Sequence, residues 1–182
     1  MKNVLLLGDS IRMLYQPVVK EKLEGRANIY GPAENGRWSG YTLNSLRFWL
    51  PQLPTPDIVH WNNGLWDMGD DYQEGRHFYP PELYEETCRR MFKILRQVTK
   101  NPSLPIIVAT TTPVNNSKPS DTPLYNEILC RVAKENGAYI NDLYTAINAD
   151  RDANIGPDHI HLSKAGVEIA SNLVVSAIEK LL

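Results

Sequence analysis

Three residues of this sequence have types and spacing that suit attack on a carbonyl carbon. Ser10 directly follows a short apolar run, and Asp158 lies three positions before His161. An aspartate at that spacing can accept a hydrogen bond from Nδ1 of the histidine, which leaves Nε2 free to accept a serine proton. His161 suits this geometry better than His159. Ser10 also has a simpler interpretation, since a serine that follows a strand commonly caps a helix.

Two other segments contain groups that could stabilise a negatively charged oxygen. Gly40 lacks a side chain, so its backbone N–H can come close to a reacting atom. Asn62 and Asn63 stand where an apolar run ends, and buried amides at such a place need hydrogen-bond partners. An oxyanion is one possible partner, and a neighbouring loop is the other. The N–H of Ser10 is a further candidate donor, because helix N-termini favour negative charge.

Elements that could position these residues alternate along the chain. Apolar runs predict strands at residues 4–7, 29–30, 58–61, 106–110 and 138–140. Helical patterns occupy residues 13–23, 43–50, 81–98, 122–135 and 164–181. This alternation predicts a parallel sheet with helices on both faces and a site at the carboxyl ends of the strands. The candidate residues all follow predicted strands, so we expect them to meet at that edge.

Length and charge limit the classes of protein that the chain could represent. Its 182 residues predict a single domain over positions 1–182, and the net charge of -2 argues against nucleic-acid or anionic-membrane partners. The N-terminal apolar run is too short for a signal peptide, and no run reaches the ~20 residues of a membrane span. We therefore expect a cytoplasmic protein, with a trimmed secreted form as the alternative. Cys88 and Cys130 are expected to be reduced thiols. Oligomeric state is not predicted.

Two polar loops, at residues 66–79 and 113–123, follow predicted strands and are expected to form walls of the site. The first contains Asp67, Asp70 and Asp71. No histidine or glutamate joins these aspartates at metal-ligand spacing, so we predict a solvated loop without a metal. No cofactor is expected.

Four segments, taken in order, resemble the conserved blocks of the SGNH or GDSL-type esterase superfamily. They are residues 8–11 (Gly-Asp-Ser-Ile), the block around Gly40, the block around Gly64, and the Asp-x-x-His at residues 158–161. The resemblance implies a flavodoxin-like three-layer α/β/α sandwich with a five-stranded parallel sheet. It also implies ester hydrolysis by a serine without a metal.

The same resemblance implies a role for each matching residue. Ser10 would be the nucleophile, His161 the general base and then acid, and Asp158 its orienting carboxylate. The backbone N–H groups of Ser10 and Gly40 would form part of an oxyanion hole.

The third block departs from the common Gly-x-Asn-Asp pattern. This chain has Gly64-Leu65-Trp66-Asp67, with tryptophan at the position of the family's oxyanion asparagine. The segment resembles an Asn-x-Gly-Leu-x-Asp variant of carbohydrate-esterase-like members. On that match Asn62 is the first candidate for the missing donor. Asn63 is the second candidate.

Aromatic residues near the predicted site suggest a class of substrate. Trp49 and Trp61 are expected in the core, whereas Trp38 and Trp66 are candidates for binding a sugar ring. No long apolar lid is visible, so we expect a small acyl group, most simply acetyl, on a carbohydrate or similar polar alcohol. The alternative is a catalytically impaired carbohydrate-binding or regulatory protein on the same fold.

Overall fold

A parallel five-stranded sheet organises the chain. The computed structural model describes residues 1–69, 74–115 and 121–182. The strands are β1 (Lys2–Gly8), β2 (Ala27–Tyr30), β3 (Ile58–Asn62), β4 (Ile106–Ala109) and β5 (Tyr139–Asn141). They lie in the order β2-β1-β3-β4-β5, and every neighbouring pair is parallel.

Helices connect and cover these strands. They are α1 (Ser10–Lys22), α2 (Ser39–Trp49), α3 (Pro81–Val98), α4 (Thr122–Glu135), α5 (Leu143–Asn148), α6 (Arg151–Asn154) and α7 (Lys164–Glu179), with a short 3₁₀ helix at Leu50–Gln52. Among the described residues, no helix has the length and apolar character needed to cross a membrane.

The central strands are apolar on both faces because each face is covered by helices. Leu5 and Leu7 of β1 pack into a core shared with α2, α3 and α4. Val4 and Leu6 alternate with them and pack into a second core with α1, α5 and α7. Alternation along a strand sends successive side chains to opposite faces. The predicted three-layer α/β/α sandwich with a five-stranded parallel sheet is therefore confirmed.

The strand order reverses beside β1. From β1 the chain first moves outward to β2 and then crosses back to β3 on the other side, where Gly8 pairs with Asn62. Ligands of open α/β sheets bind outside the carboxyl ends of the strands at such a reversal. The residues that directly follow β1 and β3 are thus brought together at this edge.

The helices differ from the sequence prediction mainly at their starts. The first begins at Ser10 rather than at position 13, and the second begins at Ser39 rather than at position 43. Helices α5 and α6 are not among the predicted elements. The early starts matter for function, because they place Ser10 and Gly40 in the first turns of their helices.

Candidate active site

A sharp turn between β1 and α1 presents Ser10. Gly8 has a φ of +152°, and a Cβ atom there would lie 2.4 Å from the carbonyl oxygen of Asn62, so only glycine fits. Asp9 caps α1 by accepting a hydrogen bond from the N–H of Ile11 at 2.9 Å. The capping role therefore belongs to Asp9, and the hydroxyl group of Ser10 is left for other contacts.

The structure brings Ser10, His161 and Asp158 into one chain of hydrogen bonds. Oγ of Ser10 lies 2.8 Å from Nε2 of His161. Nδ1 of His161 lies 2.6 Å from a carboxylate oxygen of Asp158. Since the carboxylate can only accept, Nδ1 carries the proton and Nε2 accepts from the serine hydroxyl. This arrangement can remove the proton of Ser10 as its oxygen attacks a carbonyl carbon.

A tight turn holds Asp158 in place although its side chain is 52% exposed. Its second oxygen accepts the backbone N–H groups of Ile160 at 3.0 Å and His161 at 2.9 Å. His159, which lies between Asp158 and Ile160, has a φ of +66°. The hydrogen bond from Ile160, followed by those from His161, lowers the pKa of Asp158 to about 2, so the carboxylate remains charged.

A second buried carboxylate caps the helix that carries Gly40. Asp67 accepts the N–H of Ser39 with both oxygens at 3.0 Å and the Ser39 hydroxyl at 2.5 Å. Gly40 follows in the first turn of α2, where backbone N–H groups have no helical acceptor. Burial raises the pKa of Asp67 to about 7, while the bonds from Ser39 oppose that rise.

The position of Asp67 corrects a sequence prediction. We expected it to belong to a solvated acidic loop, but its side chain is fully buried. The expectation is wrong because residues 28 positions earlier supply the donors for its carboxylate. Asp70 and Asp71 lie outside the described residues. In the part of the chain that is described, no group of three or more acidic, histidine or cysteine side chains could hold a metal ion.

A buried arginine joins α1 to the loop that leads into α2. The guanidinium group of Arg12 donates to the carbonyl oxygens of Pro32 at 3.0 Å and Glu34 at 2.8 Å. The N–H of Gly36 donates to the carbonyl oxygen of Gly8 at 2.9 Å. These bonds fix the loop against the turn that bears Ser10. Sequence reasoning missed Arg12, whose only signal is a charge on the buried face of α1.

Asp9 lies in the same buried environment as Arg12. Its side chain is 1% exposed, and this burial raises the pKa of the carboxyl group to about 6, although the Ile11 N–H and Arg12 act in the opposite direction. The N–H of Ile11 thus holds the Asp9 side chain within the turn.

The two candidate asparagines are almost fully buried and differ in their contacts. Asn63 donates its amide to the carbonyl oxygen of Arg37 at 2.7 Å and accepts from the indole of Trp61 at 2.6 Å. The amide nitrogen of Asn62 lies 3.5 Å from the carbonyl oxygen of Ala109, which is the limit of a hydrogen bond. Asn63 is thus occupied in holding the loop before α2. Asn62 is the less committed donor of the two.

Aromatic side chains surround the start of α2. The ring of Trp38 lies 5.3 Å from that of Tyr41 and 5.1 Å from that of Phe78, between centroids. A Cβ atom at Gly40 would lie 2.8 Å from the hydroxyl oxygen of Tyr79 and 3.0 Å from Nε1 of Trp38. Gly40 is therefore required by close neighbours rather than by its backbone angles.

Two of the other tryptophans lie in the core, as the sequence predicts. Trp49 and Trp61 are in the core, with 7% and 1% of their surfaces exposed, whereas Trp66 is 39% exposed. Both loops expected to wall the site have described parts that reach it. Phe78 contacts Trp38, and the N–H of Asn115 donates to the carbonyl oxygen of His159 at 2.8 Å. Residues 70–73 and 116–120 of these loops lie outside the described part.

Comparison with known families decides the classification. The GDSL-like lipase/acylhydrolase family matches residues 6–169 of the chain. The protein belongs to this family. The resemblance inferred from the four sequence blocks is thereby confirmed, and so is the prediction of a carboxylic ester hydrolase. A comparison of the sequence with curated proteins finds no significant match.

Solved structures of similar fold include a lipase/acylhydrolase and two esterases. A lipase/acylhydrolase from Enterococcus faecalis superposes with a TM-score of 0.83 at 18% identity, over 100% of this chain and 97% of that chain. A carbohydrate esterase family 3 protein from Talaromyces cellulolyticus gives 0.78 at 19%, over 100% and 98%. An acetylxylan esterase from Geobacillus stearothermophilus gives 0.74 at 19%, over 96% and 93%. At these identities the likeness shows the fold.

Proposed function

We propose that this GDSL-like protein is a serine esterase that removes a small acyl group, most simply acetyl, from a carbohydrate or a similar polar alcohol. The observation that carries the proposal is the unbroken chain of hydrogen bonds from Ser10 through His161 to Asp158. Such a chain both activates a hydroxyl nucleophile and orients the base that receives its proton.

The proposed reaction proceeds through an acyl-enzyme. Oγ of Ser10 attacks the ester carbonyl carbon while its proton moves to Nε2 of His161. The tetrahedral intermediate collapses, the bond to the alcohol oxygen breaks, and His161 returns the proton to the departing alcohol. Water then attacks the acyl-enzyme with His161 again as the base, which releases the carboxylic acid and restores Ser10.

Helix N-termini provide donors for the negative charge that develops on the carbonyl oxygen. Ser10 and Gly40 stand in the first turns of α1 and α2, where N–H groups are free of helical acceptors and the helix dipole favours an anion. Asn62 is the candidate side-chain donor. The buried caps Asp9 and Asp67 hold the two helix starts in position before substrate binds. Donors that are held in advance stabilise a transition state most effectively.

Substitution of the nucleophile tests the activity. We expect the purified protein to hydrolyse p-nitrophenyl acetate, and Ser10→Ala to lower kcat by at least about a thousandfold, since the acyl-enzyme can no longer form. A fluorophosphonate probe should label the wild-type protein at Ser10. Equal, slow hydrolysis by both proteins would instead support the alternative of a catalytically impaired binding or regulatory protein.

Acyl-chain preference tests the proposed substrate class. The names of two similar structures, an acetylxylan esterase and a carbohydrate esterase, support an acetyl group on a sugar. The aromatic rings of Trp38 and Phe78 beside the site suit contact with a sugar face. We expect a higher kcat/KM for acetate than for octanoate esters of p-nitrophenol. The reverse order would contradict the small-acyl proposal.

A further inference from the structure

The indole N–H of Trp38, at the start of α2, has no hydrogen-bond acceptor among the described residues. The indole N–H groups of Trp49 and Trp61 donate to Glu34 and Asn63. Within the described chain, Nε1 of Trp38 has no such acceptor, and its side chain is half-buried rather than enclosed. An indole nitrogen can donate but cannot accept, so this group is available to an oxygen atom of a ligand.

Buried side chains fix the backbone on both sides of Trp38. The amide of Asn63 binds the carbonyl oxygen of the preceding residue, Arg37, at 2.7 Å. The carboxylate of Asp67 binds the N–H and the hydroxyl of the following residue, Ser39. Arg37 itself has a φ of +50°, a conformation that requires such support. The chain therefore holds position 38 firmly without help from a substrate.

Ring contacts fix the indole in turn. Tyr41 packs against it from within α2, and Phe78 packs against it from the loop that follows β3. A donor that is oriented by packing loses little conformational entropy when it binds an acceptor.

The free indole N–H lies beside the proposed oxyanion donor Gly40. Nε1 of Trp38 is 3.0 Å from the place where a Cβ atom of Gly40 would stand. The nitrogen and Cβ of one residue are about 2.5 Å apart, so the two N–H nitrogens are separated by at most about 5.5 Å. One oxygen atom can accept hydrogen bonds of about 2.9 Å from two donors at that separation.

We propose that the indole N–H of Trp38 donates to the carbonyl oxygen of the ester as it becomes an oxyanion, together with the N–H of Gly40. It would provide a side-chain donor where the third block has Trp66 instead of asparagine. This inference rests on the proposed esterase function and adds a catalytic group to it. It also assigns Trp38 a role beyond stacking on a sugar, because stacking needs the ring but not its N–H.

An isosteric replacement isolates the N–H. Benzothienylalanine, which has sulfur in place of the indole N–H, is incorporated at position 38 of the full chain, and Trp38→Phe provides a genetically encoded second variant. The matched control is benzothienylalanine at position 49, the last residue of α2, where the indole N–H already donates to the side chain of Glu34 and so is not available to a ligand. Measurements are kcat and KM for p-nitrophenyl acetate, the rate of fluorophosphonate labelling at Ser10, and the thermal midpoint.

A catalytic donor predicts a specific pattern of effects. The position-38 isostere should lower kcat and the labelling rate by at least about tenfold, with KM changed less than threefold, because the bond strengthens in the transition state. The position-49 isostere should keep wild-type kcat. Unchanged kcat at position 38, or an effect on KM alone, would overturn the Trp38 proposal while leaving the esterase intact. Absence of Ser10-dependent turnover in the wild type would overturn both proposals.

Discussion

Asp158 shows how a largely exposed carboxylate can be held rigidly. Its three hydrogen-bond donors are the side chain of His161 and the backbone N–H groups of residues 160 and 161. All three lie within three positions of it along the chain. The hydrogen bonds of the local turn therefore fix the side chain without burying it. The carboxylate stays ionised because its pKa is about 2. We infer that Asp158 and His161 are positioned as one unit.

Asp158→Asn should separate the structural role of this side chain from its proposed catalytic role. The amide oxygen can still accept the two backbone N–H groups, but the amide nitrogen cannot accept the Nδ1 proton of His161. We expect kcat for p-nitrophenyl acetate to fall by about 10²- to 10⁴-fold with little change in the thermal midpoint. The control is Asp152→Asn, a nearby exposed carboxylate that binds Asn115 and should keep wild-type kcat. A variant Asp158→Asn within threefold of wild type would contradict the assignment.

Site residues whose partners are close in sequence could be predicted, whereas those with distant partners could not. Ser10 and the Asp158–His161 pair are visible because their chemistry is encoded by neighbours in sequence. Arg12 and Asp67 are not, because their partners lie 20 to 28 positions away. A charged residue with a distant partner looks the same in sequence as a charged residue in water.

At the scale of elements, the loop between β2 and α2 links the two helix starts of the proposed oxyanion hole. Gly36 lies against the end of β1, where its N–H donates to the carbonyl oxygen of Gly8. A Cβ atom at Gly36 would lie 2.5 Å from the carbonyl oxygen of Gly8 and 2.7 Å from Oγ1 of Thr42. The first of these atoms belongs to the backbone, so a side-chain rotation cannot relieve the overlap. The fit between the loop and β1 therefore sets the distance between α1 and α2.

Gly36→Ala should lower kcat by more than its loss of folding stability accounts for. The added methyl group must push the loop away from Gly8, which shifts Gly40 relative to Ser10. We expect kcat to fall at least about tenfold, since small displacements in a site have large effects on rate. The control is Gly137→Ala, where φ is +63° and no atom lies within 4 Å of the new Cβ. It should lower the free energy of unfolding by about 1 kcal/mol without lowering kcat. Equal kcat in the two variants would contradict this account.

The elements themselves were largely predictable, while their ends were not. Each predicted strand corresponds to an observed strand. The central strands β1, β3 and β4 are conspicuous as apolar runs buried on both faces, whereas the edge strands β2 and β5 include exposed residues. The start of α2 at Ser39 was missed because its cap, Asp67, comes from another part of the chain. Helices α5 and α6 were missed because they are short, at six and four residues. Their capping side chains, Asp142 and Asp150, offer only a local signal.

For the molecule as a whole, three buried ionisable groups give the stability an unusual dependence on pH. Burial raises the pKa of Asp67 to about 7 and that of Asp9 to about 6, and it lowers the pKa of His60 to about 3. Between about pH 4 and 7 the folded state retains protons on the aspartates that the unfolded state has lost, so these groups make stability fall as pH rises. His60 acts oppositely, because only the unfolded state binds its proton in this range.

Asp67→Asn should remove one of these contributions. The amide oxygen can still accept from Ser39, but the group no longer titrates. From pH 4.5 to 7, the stability of the wild type relative to this variant should fall by up to about 1.4 kcal/mol per pH unit. Urea unfolding at several pH values measures the difference. The stability of the wild type relative to His60→Gln should instead rise with pH over this range. Parallel plots of unfolding free energy against pH for the wild type and Asp67→Asn would contradict the pKa assigned to Asp67.

The hydrogen bond between Ser10 and His161 joins residues 151 positions apart, which orders events during synthesis. Ser10, Gly40 and the Asp67 cap leave the ribosome well before His161 is made. At about 5–20 residues per second, several seconds of translation separate them. A nascent chain can therefore form the helix starts of the proposed oxyanion hole before the proposed base is present. On the proposed mechanism, a nascent chain that stops short of His161 should not cleave esters, because Ser10 then has no base.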